Sequence, residues 1–231
     1  MITIIAEIGV NWDGEFDIAE DMIRKAKQIG CDLVKFQSID GKKLLHPKKA
    51  RIMKASIDKN NIEKIDKIAR DVGIEWFCTP MYPEAVQILN PYVKRFKIRE
   101  LDGRNLFQNQ INELVSKILE TKKEIIVSTQ ISPNLSRYNL EKNIKWLYCI
   151  PKYPCSIEDI DFHNLNQFNG FSNHCVESIV PVTAAVLGAE IIEVHMTSDK
   201  SKDFIDNNVS LDYLEFENLV KQIRLVERIK K

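Results

Sequence analysis

Short apolar runs alternate with amphipathic stretches along nearly the whole chain. Six of the polar intervals have helical periodicity, at residues 17–29, 61–72, 83–89, 106–120, 176–187 and 212–229. The intervals after residues 128 and 149 are weaker as helices. Apolar runs with so few polar residues are typical of parallel strands that helices cover on the outside. The runs span residues 3–8, 32–37, 75–79, 95–98, 124–128, 146–149, 170–174 and 190–195.

Eight strand-then-helix units predict a closed parallel barrel, the (β/α)8 or TIM barrel. The chain has 231 residues, which fits the roughly 200–250 residues that such barrels commonly occupy as one domain. The alternative is an open, doubly wound sheet, but no glycine-rich GxGxxG loop supports it. We therefore predict a single barrel domain over residues 1–231.

Two histidines stand late in the last two runs, at positions 174 and 195. Side chains alternate between the two faces of a strand, so Ser172 shares a face with His174, and Glu193 with His195. If these strands are neighbours in a parallel barrel, both imidazoles project from the same rim. Two neutral imidazoles can hold one divalent ion and leave positions open for water and substrate. The alternative is a pair of unrelated core or surface histidines.

If the histidines face the inside of the barrel, the residues that face inward near the ends of the other runs are also polar. Active sites of barrels gather at the carboxyl ends of the strands, so these residues are expected around one mouth. Apolar residues occupy the opposite phase. Besides Ser172, His174, Glu193 and His195, the set contains Glu7, Lys35, Gln37, Thr79, Lys97 and Ser128.

This set suits the binding of a phosphorylated anion beside a metal-activated aldehyde. The two lysines, with the hydroxyls of Thr79, Ser128 and Ser172, could hold the anion, and a metal on the histidines could polarise a carbonyl. Glu7, Glu193 and Asp206 are candidates for proton transfer. The combination favours carbon–carbon bond formation. Two alternatives stay open: an aldolase that forms a Schiff base on Lys35 or Lys97, and a non-catalytic sugar- or phosphate-binding barrel that needs a partner chain.

Composition excludes several other classes. The formal net charge is +0 and no basic stripe occurs, so nucleic acid is not an expected partner. No run of 18 apolar residues is present to span a membrane, and the start lacks the features of a signal peptide. Five cysteines without a CxxC motif fit reduced, mostly buried thiols and a cytoplasmic location better than a disulfide framework.

The motifs at the strand ends also resemble, in order along nearly the whole chain, those of the sialic acid synthases and related nonulosonic acid synthases. Each motif alone is weak, but the collinear set is specific. The matching segments are IIAEIGVN at 4–11, DLVKFQ at 32–37, FCTP at 77–80, FKI at 96–98, VST at 127–129, CIPKYP at 149–154, FSNH at 171–174 and EVHMT at 193–197.

The resemblance implies an enzyme that condenses phosphoenolpyruvate with an N-acylated amino sugar, giving a nonulosonic acid and phosphate. It implies a divalent metal, Mn²⁺ or Mg²⁺, on His174 and His195. Catalytic roles fall on Glu7, Lys35, Lys97, Glu193 and Asp206, of which Lys35 and Lys97 also contact phosphoenolpyruvate. The remaining substrate-binding residues that it implies are Gln37, Thr79, Ser128, Tyr153 and Ser172.

Several positions depart from the family pattern. A small residue and a phosphate-binding serine usually follow the Lys97 motif, but this chain has Arg99-Glu100, where a carboxylate would repel phosphate unless the arginine compensates. Pro151 replaces an asparagine, and Trp12 replaces a histidine. Trp12 could stack on a sugar ring or pack on the barrel. We also expect the chain to stop after its eighth helix, without the family's antifreeze-like domain. We therefore expect a different sugar, or missing contacts supplied by a homodimer or a separate partner chain.

Overall fold

Eight parallel strands close into one barrel, and each strand pairs with its sequence neighbours. The computed structural model describes residues 1–230. The predicted (β/α)8 architecture is therefore confirmed. The strands are β1 (Thr3–Gly9), β2 (Leu33–Ser38), β3 (Glu75–Pro80), β4 (Arg95–Ile98), β5 (Glu124–Thr129), β6 (Ile144–Cys149), β7 (Gly170–Asn173) and β8 (Ile191–His195).

Helices cover the outside of the barrel. The last helix is the longest and is capped by Asp212, the residue before it. The Asp212 side chain accepts from the backbone N–H of Glu215, and the Glu215 carboxylate accepts from the backbone N–H of Asp212. This reciprocal capping box stabilises the first turn. The helices are α1 (Phe16–Ile29), α2 (Lys49–Lys54), α3 (Ile62–Val72), α4 (Pro83–Leu89), α5 (Glu100–Gly103), α6 (Glu113–Glu120), α7 (Ile179–Val186) and α8 (Tyr213–Ile229).

Two intervals differ from the helices that the sequence predicts, and two others agree with the weak helical pattern. The predicted helix over 106–120 begins only at α6, because the Asn112 side chain caps its first turn by accepting from Val115 N. The loop after β2 contains a helix, α2, that the periodicity did not predict. The two intervals predicted to be weak, after β5 and β6, hold only short 3₁₀ turns.

The pairing register brings the predicted site positions to one end of the barrel. Glu7 on β1 pairs with Lys35 on β2 and with His195 on β8. Ser172 on β7 pairs with Glu193 on β8. Since all the strands are parallel, their carboxyl ends form a single rim, and this rim carries the site.

A continuous apolar core fills the space between the strands and the helices, and the cysteines belong to it. All five cysteines are free thiols and buried, as expected for small apolar residues in a reduced chain. Across residues 1–230, we find no helix with both the length and the apolar character needed to cross a membrane.

Candidate active site

One cavity of about 360 Å³ opens at the carboxyl ends of the strands. A larger cavity, about 740 Å³, lies at the opposite end of the barrel and is lined by none of the predicted site residues. All twelve residues that the sequence singled out line the first cavity. They are Glu7, Lys35, Gln37, Thr79, Lys97, Ser128, Tyr153, Ser172, His174, Glu193, His195 and Asp206.

Two buried lysines share one carboxylate oxygen on the cavity floor. Lys97 Nζ lies 2.9 Å and Lys35 Nζ 3.2 Å from Glu193 Oε1. The Ser172 hydroxyl donates to the same oxygen at 2.9 Å, and Lys35 also reaches Thr79 Oγ1 at 3.3 Å. The second oxygen of Glu193 is buried without a hydrogen-bond partner. The floor therefore combines two fixed ammonium groups with one anionic oxygen.

This network shifts the pKa values of its members. Burial alone would raise the pKa of Glu193, but the ammonium groups of Lys35 and Lys97 outweigh it and lower that pKa, keeping the group a carboxylate. Burial would likewise lower the pKa of Lys35, and the carboxylates of Glu193 and Glu7 raise it instead. For Lys97 burial prevails and its pKa falls below the ordinary value.

A second group of polar side chains surrounds Gly9. A Cβ atom at this position would lie 3.0 Å from Asp206 Oδ2, 3.1 Å from Gln37 Nε2 and 3.3 Å from Glu7 Oε1. The φ angle of Gly9 is +55°, so glycine serves both the backbone conformation and the close approach. Gln37 Nε2 donates to Glu7 Oε1 at 2.7 Å, whereas Glu7 Oε2 and Asp206 Oδ2 are buried without hydrogen-bond partners. The nearest cation to Glu7 Oε2 is the Lys35 ammonium, at 3.5 Å.

Burial raises the pKa values of both carboxyls in this second group. The pKa of Glu7 rises to about 7, with the Lys35 ammonium opposing the effect of burial. The pKa of Asp206 rises to about 6 for the same reason, with the nearby Tyr153 hydroxyl and Lys35 ammonium opposing it. Carboxyls with such pKa values can donate or accept a proton near neutral pH. Their unpartnered oxygens face the cavity, where a ligand's hydroxyl or amide groups could satisfy them.

The two histidine rings lie side by side at the rim, with centroids 5.7 Å apart. His174 Nδ1 lies 3.1 Å from the carbonyl oxygen of Ile150, so Nδ1 carries the proton and Nε2 keeps its lone pair. Burial lowers the pKa of His174 to about 4 and that of His195 well below its usual range. The Tyr153 hydroxyl contacts His195 at 3.2 Å from Nε2 and 3.3 Å from Nδ1.

These features fit a divalent metal that is bound by two protein ligands, the imidazoles of His174 and His195. Neutral imidazoles are the form that binds metal, and Asp206 Oδ2 lies 3.7 Å from His195 Nδ1. No set of three or more His, Cys, Asp or Glu side chains in residues 1–230 is arranged to hold an ion. A metal here would take its remaining ligands from water or substrate, and it would compete with Tyr153 for His195.

Asn11 positions one site residue, a role that the motif containing it did not reveal. Its amide is wholly buried. The side-chain oxygen accepts from the backbone N–H of Asp206 at 2.9 Å, while Nδ2 donates to Met196 O and to Ser210 Oγ, each at 3.0 Å. The Ser210 hydroxyl in turn donates to Asp206 O at 2.6 Å. Asn11 and Ser210 therefore hold the Asp206 backbone from both sides.

Trp12 belongs to the core rather than to the cavity. Its side chain is fully buried, its Nε1 donates to Ala55 O at 2.9 Å, and its ring meets Phe36 edge-on at 6.3 Å. Of the two roles expected from the sequence, packing on the barrel is the one that the structure shows. Trp12 ties the loop after β1 to the loop after β2.

The other residues that depart from the family pattern, Arg99, Glu100 and Pro151, line the cavity, and so does Lys152. The Glu100 carboxylate accepts from Arg104 Nε at 2.9 Å, so its charge is paired. Sequence reasoning gave no site role to Lys152. Its position one residue before Tyr153 was the available signal.

Comparisons with known proteins agree with this geometry. The NeuB family model matches residues 22–231. An uncharacterized protein of Methanocaldococcus jannaschii is 31% identical, over 98% of this chain and 71% of that protein. The N,N'-diacetyllegionaminic acid synthase of Legionella pneumophila is 28% identical, over 98% of this chain and 72% of the synthase.

Among solved structures, the N-acetylneuraminic acid synthetase of Leptospira borgpetersenii superposes with a TM-score of 0.87. The alignment covers 99% of this chain and 85% of that chain at 23% identity. At this identity the likeness supports the fold alone.

Proposed function

This chain belongs to the NeuB family, and from that premise we propose that it condenses phosphoenolpyruvate with the open-chain aldehyde of an N-acylated amino sugar. The products are a nonulosonic acid and phosphate. The observation that carries the proposal is the convergence of the lysine pair, Lys35 and Lys97, with the histidine pair in one cavity. The coarser part, a condensing synthase, is supported by relatives that are legionaminic acid, pseudaminic acid and N-acetylneuraminate-9-phosphate synthases.

The floor of the cavity suits the anionic substrate. Lys35 and Lys97 offer two ammonium groups, and Ser128 Oγ is buried without a partner. Charge-assisted hydrogen bonds from such groups are the strong ones for carboxylate and phosphate. In the proposed reaction these donors fix the phosphoenolpyruvate so that its methylene carbon faces the sugar aldehyde.

The group around Gly9 suits the sugar. Gln37 offers an amide, and Glu7 and Asp206 offer carboxyl oxygens that lack partners. Hydroxyls of an open-chain sugar would satisfy these oxygens. With pKa values of about 7 and about 6, the two carboxyls can take the proton from the water that adds to the reacting carbon, or protonate the alkoxide formed from the aldehyde.

Metal dependence is part of the proposal. His174 and His195 would hold Mn²⁺ or Mg²⁺, and the ion would supply Lewis-acid polarisation of the sugar carbonyl. A homodimer or a separate partner chain also stays a prediction, which sedimentation velocity at several protein concentrations would test.

The direct test is phosphate release. The protein is incubated with phosphoenolpyruvate, a panel of N-acylated amino sugars and MnCl₂, alone and with candidate partner chains. We expect stoichiometric phosphate and a nine-carbon keto acid with at least one sugar. Absence of phosphate with every sugar would contradict the proposal and favour a binding role.

A Schiff-base aldolase is the second candidate, favoured by one observation. Burial lowers the pKa of Lys97, which brings its amine nearer to the neutral, nucleophilic form. Against it, the Lys97 ammonium is held by Glu193 at 2.9 Å. Borohydride reduction in the presence of pyruvate or a sugar aldehyde separates the two candidates, because only the aldolase gives a covalent adduct detectable by mass spectrometry.

A further inference from the structure

The charges of the cavity floor leave an anionic substrate short of positive partners. Lys35 and Lys97 both contact Glu193 Oε1, and Lys35 lies 3.5 Å from Glu7 Oε2 as well. The two ammonium groups are therefore already neutralised in part by the protein's own carboxylates. Phosphoenolpyruvate carries a carboxylate and a phosphate, so a further cationic side chain at the rim would strengthen its binding.

Three charged side chains line the rim, and each has an ion-pair partner within the chain. Lys152 is paired with Asp159, and Glu100 with Arg104. Arg99 contacts Asp102 through Nε alone, at 2.6 Å. Its two terminal NH₂ groups make no hydrogen bond with the part of the chain that the structure describes. A guanidinium held in this way can still present two NH₂ donors to a phosphate.

Arg99 lines the site cavity and also a neighbouring cavity that Asp102 lines. Residue 99 follows the end of β4 and keeps an extended conformation, with φ −70° and ψ 165°. Side chains alternate along extended backbone, so Arg99 keeps the inward phase of Lys97. Its side chain is 40% exposed, which lets it meet a ligand at the entrance. The unpartnered Ser128 hydroxyl, buried to 2% exposure, lies deeper in the same cavity.

We propose that Arg99 is a phosphate-binding residue of this site, which clamps the phosphate of phosphoenolpyruvate from the rim while Lys97 and Ser128 reach it from the floor. This inference rests on the proposed function and adds to it a residue outside the predicted set. The Asp102 contact holds Nε of the guanidinium and leaves its two terminal NH₂ groups without a hydrogen bond to the described residues. Glu100 does not oppose binding, since Arg104 neutralises its charge.

Equilibrium binding tests the inference without knowledge of the sugar. Isothermal titration calorimetry is carried out in MnCl₂ with phosphoenolpyruvate and with pyruvate, which lacks the phosphate. Arg99→Ala should weaken phosphoenolpyruvate binding by roughly 10–100-fold and leave pyruvate binding unchanged. Arg99→Lys should fall between the wild type and Arg99→Ala, since an ammonium is a single point charge.

Arg24→Ala is the matched control. Arg24 is an exposed arginine on α1, also held by a nearby carboxylate, that of Glu20, and it lies outside the cavity. It should bind phosphoenolpyruvate like the wild type. Thermal unfolding of every variant shows that a loss of binding is not a loss of folding.

The outcomes separate this inference from the proposed function. If the wild type and Arg99→Ala bind phosphoenolpyruvate equally, the role of Arg99 is overturned and the proposed function stands. An equal loss of pyruvate and phosphoenolpyruvate binding also overturns the role, because it would show an effect on the whole cavity. If the wild type binds no phosphoenolpyruvate, both fall. In steady-state assays with an accepted sugar, the expected change in Arg99→Ala is a raised KM for phosphoenolpyruvate, with the KM for the sugar unchanged.

Discussion

Lys97 and Glu193, on strands four positions apart in the barrel, form an ion pair of 2.9 Å in which both side chains are almost completely buried. Lys35 shares the same oxygen of Glu193. Because the carboxylate serves two ammonium groups at once, its loss would leave two buried cations without their common partner. Both the stability of the barrel and the proposed anion site therefore depend on this ion pair.

Glu193→Gln should therefore destabilise the barrel. Removing one partner of a buried ion pair costs about 3–5 kcal/mol. We expect the free energy of unfolding to fall by an amount near the lower end of this range, because glutamine has nearly the same shape as glutamate. Urea unfolding at pH 7 measures it. Glu190→Gln, an exposed residue just before β8, serves as the control. A change as small as the control's would show that the carboxylate charge is not needed.

Glu7→Gln should change the pH dependence of stability. The folded-state pKa of Glu7 is about 7, above its ordinary 4.5, so the folded protein binds more protons than the unfolded chain between these pH values. Wild-type stability from this group is present at low pH and is lost as the pH rises towards 7. Glutamine cannot ionise and escapes this loss.

Thermal unfolding at several pH values between 5 and 8 checks the sign. The stability of Glu7→Gln relative to the wild type should rise with pH, by up to about 3 kcal/mol. A difference that stays constant from pH 5 to pH 8 would mean that Glu7 has no raised pKa in the folded protein.

His195→Ala and His174→Ala should each abolish manganese binding. Only two imidazoles face the proposed metal position, so the loss of either leaves a single protein ligand. Electron paramagnetic resonance of free Mn²⁺ during titration measures the binding. His163→Ala, whose side chain is 94% exposed, should bind like the wild type. Undiminished Mn²⁺ affinity in His195→Ala would remove the metal from the proposal.

Asn11→Ala should loosen the segment that carries Asp206. The variant loses the acceptor for the Asp206 backbone N–H and leaves buried partners unsatisfied, at a cost of about 1–3 kcal/mol for each such group. Hydrogen exchange measured by mass spectrometry should show faster exchange at 203–211. Asn11→Asp keeps the acceptor and should protect the Asp206 amide better than alanine does. If exchange in this segment is the same in all three proteins, Asn11 does not position Asp206.

The alternation of side chains along the strands predicted most of the site residues. Lys35, Lys97, Ser128 and the two histidines were all inferred from their position late in an apolar run. The structure brings each of them to one cavity, because the register of a closed parallel barrel aligns the ends of its strands. Their roles in binding and catalysis stay predictions.

The same reasoning could not predict the contacts made by residues in the loops. Nothing in the alternation of polar and apolar residues indicated that Asn11 would bond to the backbone of Asp206, 195 residues further along the chain. Trp12 was equally compatible with a sugar contact and with core packing, and only its burial under the loop after β2 decided between them.

The sequence by itself determined the barrel and the inward-facing set, because the alternation of polar and apolar side chains is a local property that each strand carries in its own residues. Tertiary structure alone decided the partners within that set: that Glu193 serves both lysines, that Glu7 and Asp206 keep oxygens without partners, and that Arg99 keeps free donors at the rim. These facts depend on distances between residues far apart in the chain, and such distances exist only once the barrel has closed.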